Sequence, residues 1–254
     1  MYNNLPNTLF VGKSIIFLPT CHSTNDSLVQ MTADTNVPEG TVVITHQQTA
    51  GRGQRGNRWE AEAGQNLTFS VLFKPVFLEV TQQFSLNIAV ALACYHLLNK
   101  YLSNLVSIKW PNDLYFGDMK IGGILIENTI KGTSLGQSVA GIGINVNQTR
   151  FSYSRAVSFR AIEEKEYNLE KLLSELLECL EANYLLLKAG KQETLQKEYM
   201  QHLYGFKQVR LFRIGEEVVE GIIRNVDELG RLQVEINHQL CNFNFKEIQF
   251  LWEQ

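Results

Sequence analysis

The chain has 254 residues, 44% of them hydrophobic and 19% charged, with a formal net charge of −3. That length can bury a sizeable core, as one large domain or one domain with a small appendage. The near-balanced charge argues against a general attraction to nucleic acid or to an anionic membrane. Cys21, Cys94, Cys179 and Cys241 stand far apart and form no CxxC pair. They fit neither a zinc site nor a disulfide framework, and read as reduced thiols of a cytoplasmic protein. No apolar run approaches the ~20 residues of a membrane span, and no charged-then-apolar leader is expected at the N-terminus.

Residues 15–18 form a short apolar run that predicts a strand. Ser23-Thr24-Asn25-Asp26 follows, with small polar side chains and an acid in a first turn, the pattern of a helix N-cap; the helix continues through Met31. Such residues ordinarily cap, but a helix start with free N–H groups can also hold a polar ligand. Residues 41–46 are β-branched and predict a buried strand. It feeds Gln47-Gln48 and then Gly51-Arg52-Gly53-Gln54-Arg55-Gly56-Asn57-Arg58-Trp59. Glycine permits close backbone approach, and arginine offers a planar fork of donors for carboxylate and phosphate. Residues 67–73 predict the next strand, ended by Pro75, so the basic loop lies at a sheet's end, where loops carry function.

Residues 84–101 place Phe84, Ile88, Ala91, Leu92, Tyr95 and Leu98 on one helical face. Residues 106–110 predict a strand stopped by Pro111. Residues 121–127 and 138–146 predict a hairpin turning at Lys131-Gly132. Its strand glycines Gly122, Gly123, Gly141 and Gly143 mark close approach of a ligand or another backbone. Helices are expected over 169–187 and 193–203. After Gly205 short strands recur at 209–212, 218–223, 232–236 and 241–245, the spacing of a small β-barrel. The chain therefore divides into residues 1–205 and 206–254.

Lys109-Trp110-Pro111-Asn112-Asp113 ends a strand with an ammonium, an amide and a carboxylate. Asn112 and Asp113 are ordinary turn formers, yet the set could also hold a phosphate chain with its magnesium. Lys120 follows seven residues on and, beside a Gly/Arg loop, is a candidate anion clamp.

Together these segments resemble biotin protein ligases. The resemblance rests on Ser23-Thr24-Asn25, Gln48, the Gly51–Trp59 loop, Lys109-Trp110-Pro111-Asn112-Asp113, Lys120-Ile121-Gly122-Gly123 and Gly141-Ile142-Gly143-Ile144-Asn145. Their order and spacing match the family over about residues 15–146, and the β-rich tail resembles its SH3-like C-terminal domain more loosely. The resemblance implies an α+β fold: a mixed β-sheet flanked by helices, the class II synthetase-like catalytic domain, plus the small barrel. It implies that biotin is activated with ATP as biotinyl-5'-AMP and transferred to a lysine of a biotin carboxyl carrier protein. By the same resemblance, Arg52 and Lys120 are the catalytic cations at biotin's carboxylate and the α-phosphate. Ser23, Thr24, Asn25, Gln48, Gly53, Gly123, Gly141 and Gly143 belong to the biotin site. Gly141 and Gly143 leave room for the ring and Gly123 offers backbone bonds. Gln54, Arg55, Trp59, Asn112 and Asn145 belong to the ATP side, with Trp59 stacking on adenine and Asp113 assisting Mg2+.

Two departures from the family matter. Gln54 stands where many members have arginine, and only ~20 residues precede the Ser-Thr-Asn motif, too few for a DNA-binding domain. The chain is thus expected to be a ligase without nucleic-acid or membrane partners. The resemblance also allows a homodimer through a sheet edge, with residues 138–146 as that edge. The nearest rival is a lipoate or octanoate ligase, whose long apolar acid would suit the polar groups at Ser23, Thr24, Asn25 and Gln48 poorly. A non-enzymatic nucleotide or nucleic-acid binder is the rival from another class, and lacks a broad basic stripe here.

Overall fold

The computed structural model describes residues 6–102 and 105–251, apart from the Arg55 side chain. A seven-stranded mixed sheet runs β1-β2-β3-β7-β6-β5-β4. Its strands are β1 (Ile15–Cys21), β2 (Val42–Gln48), β3 (Leu67–Phe73), β4 (Val106–Lys109), β5 (Asp113–Phe116), β6 (Met119–Lys131) and β7 (Ser134–Ile144). β1 is parallel to β2, and every other neighbouring pair is antiparallel. The β6–β7 hairpin turns at Gly132, whose φ of 64° suits glycine.

Period-2 alternation gives the sheet two different faces. Val42, Ile44, Phe69, Val71, Ala140 and Ile142 point into the main core, which α2 (Gln83–Tyr101), α4 (Leu169–Lys188) and α5 (Gln192–Gln201) complete. Their neighbours Val43, Leu72 and Val139 point the other way and meet Leu28 of α1 (Thr24–Asp34). Beyond α1 that second face becomes the floor of a cavity. Ser23 caps α1 by accepting from the Asp26 N–H at 3.4 Å, as its sequence position predicts.

Residues 138–146 do not form a sheet edge. β7 lies between β3 and β6, with both rows of backbone groups paired. Its apolar residues and glycines are buried or half-buried on both faces, which suits an interior strand. The ends of the sheet are β1 and β4, and the outer side of β4 already bonds through Ile108 to the backbone of His202 and Tyr204. Elements outside the sequence reading include β5 and the one-turn helix α3 (Phe159–Glu163).

The C-terminal residues form a second, antiparallel sheet in the order β11-β10-β9-β8-β12. It comprises β8 (Val209–Ile214), β9 (Glu217–Val226), β10 (Leu232–Ile236), β11 (Gln239–Phe243) and the two-residue β12 (Gln249–Phe250). Trp110 joins the two sheets. Its indole Nε1 donates to the Gly230 carbonyl at 2.9 Å, and its ring meets Phe245 edge-on at 6.2 Å. Gln196 of α5 adds a bond to the Val226 carbonyl at 2.7 Å. Trp110→Phe keeps an aromatic ring but orphans the Gly230 carbonyl, and should cost about 1–2 kcal/mol in a urea unfolding curve. Leu240→Ser, on an exposed position of β11, should stay within about 0.5 kcal/mol.

Candidate active site

Antiparallel pairing aligns one row of the open face across five strands. Thr68 pairs with Gly143, Gly143 with Gly123, Gly123 with Asp113, and Asp113 with Lys109. The next row on the same face holds Ser70, Gly141 and Leu125. These rows form the floor of a cavity of about 880 Å³, within the range that small ligands occupy. Every candidate residue from the sequence lines it, apart from Arg55, whose side chain lies outside the described residues.

Lys120 reaches this floor through an irregularity in the sheet. Plain alternation from Gly122 would send it to the helix-covered face. The β5–β6 register shifts between Leu114 and Tyr115, so that Lys120 pairs with Tyr115, and Ile121 is the extra residue of a bulge. Ile121 turns into the core, and the Lys120 ammonium comes to 2.5 Å from Asp113 Oδ1. Lys109 sits beside this pair, its Nζ 4.7 Å from the Phe250 ring centre and 5.4 Å from that of Tyr115. Burial pushes the Lys109 amine below its usual range; Asp113 opposes the shift and Lys120 adds to it. Burial, and secondarily Asp113, pushes the Tyr115 phenol upward.

At the other end of the cavity the start of α1 meets β2 and β3. Ser23, Thr24 and Asn25 are each 3% exposed. Gln48 Oε1 accepts from the Thr24 N–H at 2.7 Å and from its hydroxyl at 3.2 Å. Ser70 Oγ lies 2.7 Å from Thr24 Oγ1 and donates to Asn25 Oδ1 at 2.6 Å. Sequence reasoning passed over Ser70. Alternation with Phe69 and Val71 could have found it, because it makes Thr68 and Ser70 polar residues on one face of an otherwise apolar strand.

The basic loop is a narrow hairpin. Arg52 bridges to Arg58, the Gly53 N–H donates to the Asn57 carbonyl at 2.7 Å, and the Trp59 N–H to that of Gly51 at 3.0 Å. Gln54 opens a single 3-10 turn at its tip. A Cβ at Gly51 would come within 2.5 Å of the Trp59 backbone carbonyl, so the close pairing of the two arms of the loop needs glycine there. Arg52 itself bonds the carboxylates of Asp26 and Glu127, the latter at 3.1 Å.

The structure adds three features to the sequence-based expectations. Gly141 and Gly143 make room for protein groups: a Cβ on Gly141 would overlap the Asn25 carboxamide, and one on Gly143 the Trp59 indole. Asn112 and Asn145 commit their amide nitrogens to backbone, Asn112 to the Ile124 carbonyl and Asn145 to that of Val157 at 3.1 Å. These two side chains fasten the floor to the adjoining loop as well as lining the cavity. The far wall comes from a segment the sequence reading never linked to the site: Phe245, Lys246 and Phe250 of the C-terminal region line it, and Phe250 lies beside Lys109. Gly143→Ala should lift the Trp59 indole off the floor and shift its emission to the red. The shift should vanish when the same substitution is made in a Trp59→Phe background.

The Biotin/lipoate A/B protein ligase family model matches residues 17–145, just over half the chain. The bifunctional ligase/repressor BirA of Escherichia coli is 31% identical over 233 residues, covering 88% of this chain and 70% of that protein. The biotin–[acetyl-CoA-carboxylase] ligase of Mycobacterium tuberculosis is 28% identical over 218 residues, covering 84% and 80%. In fold, the chain is similar to the Aquifex aeolicus biotin protein ligase solved with biotin and ATP. That likeness has a TM-score of 0.79 and 24% identity, over 95% of this chain and 100% of that one. On the family match and the BirA relationship, with the same motifs gathered into one cavity, this chain belongs to the biotin/lipoate A/B protein ligase family.

Proposed function

We propose that this chain is an ATP-dependent biotin ligase, which forms biotinyl-5'-AMP and passes the biotinyl group to a lysine of a biotin carboxyl carrier protein. The observation that carries the reading is one cavity with two chemically opposite ends. Small hydroxyl and amide groups on the start of α1, β2 and β3 occupy one end, with Arg52 of the loop tied beside them to Asp26 and Glu127, and Lys109 and Lys120 occupy the other.

A ureido ring presents two N–H donors and a carbonyl acceptor. Ser23, Thr24, Asn25, Gln48 and Ser70 supply both kinds of partner, because each hydroxyl can donate once and accept twice. The thiolane and acyl chain would lie over the glycine rows, where Gly123 offers backbone. This directs the carboxylate toward Lys120 and Arg52. A carboxylate oxygen attacks the α-phosphorus, the bond to the β-phosphate breaks, and pyrophosphate leaves. Lys120 and Arg52 offset the repulsion of the two anions and the charge of the transition state, and the strand framework holds them in line. In the second step the carrier amine attacks the acyl carbon, the acyl–oxygen bond breaks and AMP leaves. Trp59 offers its ring to adenine, with Gln54, Arg55, Asn112 and Asn145 on the nucleotide side.

Magnesium fits as an ion carried in on the triphosphate. No group of three or more His, Cys, Asp or Glu gathers among the described residues, so a metal would draw most of its shell from phosphate and water, with Asp113 adding one carboxylate. A cytoplasmic location follows from the same reading and is consistent with four free cysteines. Among the described residues no helix is long and apolar enough to cross a membrane.

Pyrophosphate release tests the class. Biotin should drive it and lipoate should not, since an apolar ring would leave the polar end without partners; release with lipoate alone would overturn the pocket assignment. Lys120→Ala should lower the adenylation rate about 10²-fold or more, with an unchanged far-UV spectrum. Gln54→Arg restores a loop charge and should slow loss of biotinyl-adenylate in a single-turnover chase.

A further inference from the structure

Glu127 lies at the far end of the site face. It pairs with Val139 on β7 and stands two residues beyond Leu125 on β6, at the border between the cavity floor and the part of the sheet covered by α1. One oxygen of this carboxylate has two partners. Glu127 Oε2 accepts from Asn25 Nδ2 at 2.7 Å and from Arg52 Nη2 at 3.1 Å. Asn25 Nδ2 also donates to the Leu125 carbonyl at 3.2 Å, and Asn25 Oδ1 receives the Ser70 hydroxyl. Both heavy atoms of the Asn25 amide are therefore assigned, and Glu127 fixes which way the amide faces. Hydrogen bonds run from the Ser70 hydroxyl through the Asn25 amide to Glu127 and on to Arg52.

We propose that Glu127 is a positioning residue that couples the polar end of the pocket to the arginine loop, setting the Asn25 amide from one side and holding Arg52 from the other. The charge of the acid matters more than its geometry. Both donors reach the same oxygen, which a glutamine carbonyl could also offer, but only an ionised carboxylate adds the negative charge that pairs with the Arg52 guanidinium and makes both bonds charge-assisted. Among the described residues the Asp26 carboxylate bonds Arg52 and not Asn25, so it steadies the loop without linking it to that amide. The loop and the ligand-ordering amide thus report to one oxygen, and a change at either end reaches the other through it.

The proposal rests on the biotin-ligase reading for its kinetic arm only, and the test separates the two. In ligand-free protein, trypsin cleavage after Arg52 measures how firmly the loop is held, whatever the activity. Glu127→Gln should speed that cleavage about threefold, the scale of one partly exposed ion pair. It should raise KM for biotin about fivefold, as expected for a lost charge-assisted hydrogen bond, with kcat within about twofold. Glu127→Asp keeps the charge and should recover part of both effects. Unchanged cleavage with Glu127→Gln, or a biotin KM equal to that of the parent, overturns the proposal. Absence of biotin-dependent pyrophosphate release from the parent protein overturns the functional reading instead, and the cleavage arm still decides whether Glu127 holds Arg52.

Discussion

The site depends on the register of the β6–β7 hairpin. Gly123 opposite Gly143, with Leu125 opposite Gly141, leaves a nearly bare strip of backbone on one face of the sheet, while Ile124 and Ile142 fill the core on the other. A slip of one residue would exchange these sets, placing isoleucines in the cavity and glycines in the core. The core therefore enforces the register, and the register gives the floor its shape. The same strip lets the Asn25 carboxamide lie directly on the sheet over Gly141 and the Trp59 indole over Gly143.

Charge is arranged around that floor in compensated pairs. Lys120 faces Asp113, and Arg52 faces Asp26 and Glu127. All of these groups keep some exposure, so solvent screens them and each pair contributes little to stability. Their value lies in placement: the cations are held at set positions on strand and loop, where an incoming anion can exchange with the resident carboxylates. Lys109 differs because it is largely enclosed between Tyr115 and Phe250, so burial rather than pairing dominates its acidity.

The second sheet belongs to the architecture of the site and not only to the end of the chain. Trp110, at the close of β4, hands its indole proton to Gly230, and Phe245 and Phe250 approach the same segment. The strand that delivers Lys109 is thus braced from both sides, by the backbone of residues 202–204 and by the C-terminal aromatics.

Much of this was legible in the sequence, because local rules govern it. The Ser23 cap, the apolar stripe of α2, the glycine hairpin and the β-rich tail each follow from spacing or turn chemistry within a few residues. The motifs named the chemistry, since a Gly/Arg loop, a strand-end lysine and small polar caps suit anions and a polar ring wherever they stand. Residue spacing could not reveal the bulge at Ile121 that turns Lys120 onto the open face, nor the interior place of β7, nor the Glu127 carboxylate shared by Asn25 and Arg52. These features arise from pairings between residues from 5 to 102 positions apart, and such pairings are fixed only when a whole sheet satisfies its backbone hydrogen bonds at once. The sequence by itself determined which groups could bind and react; the tertiary structure decided which of them face one another, because strand register and bulges choose the face on which each side chain emerges.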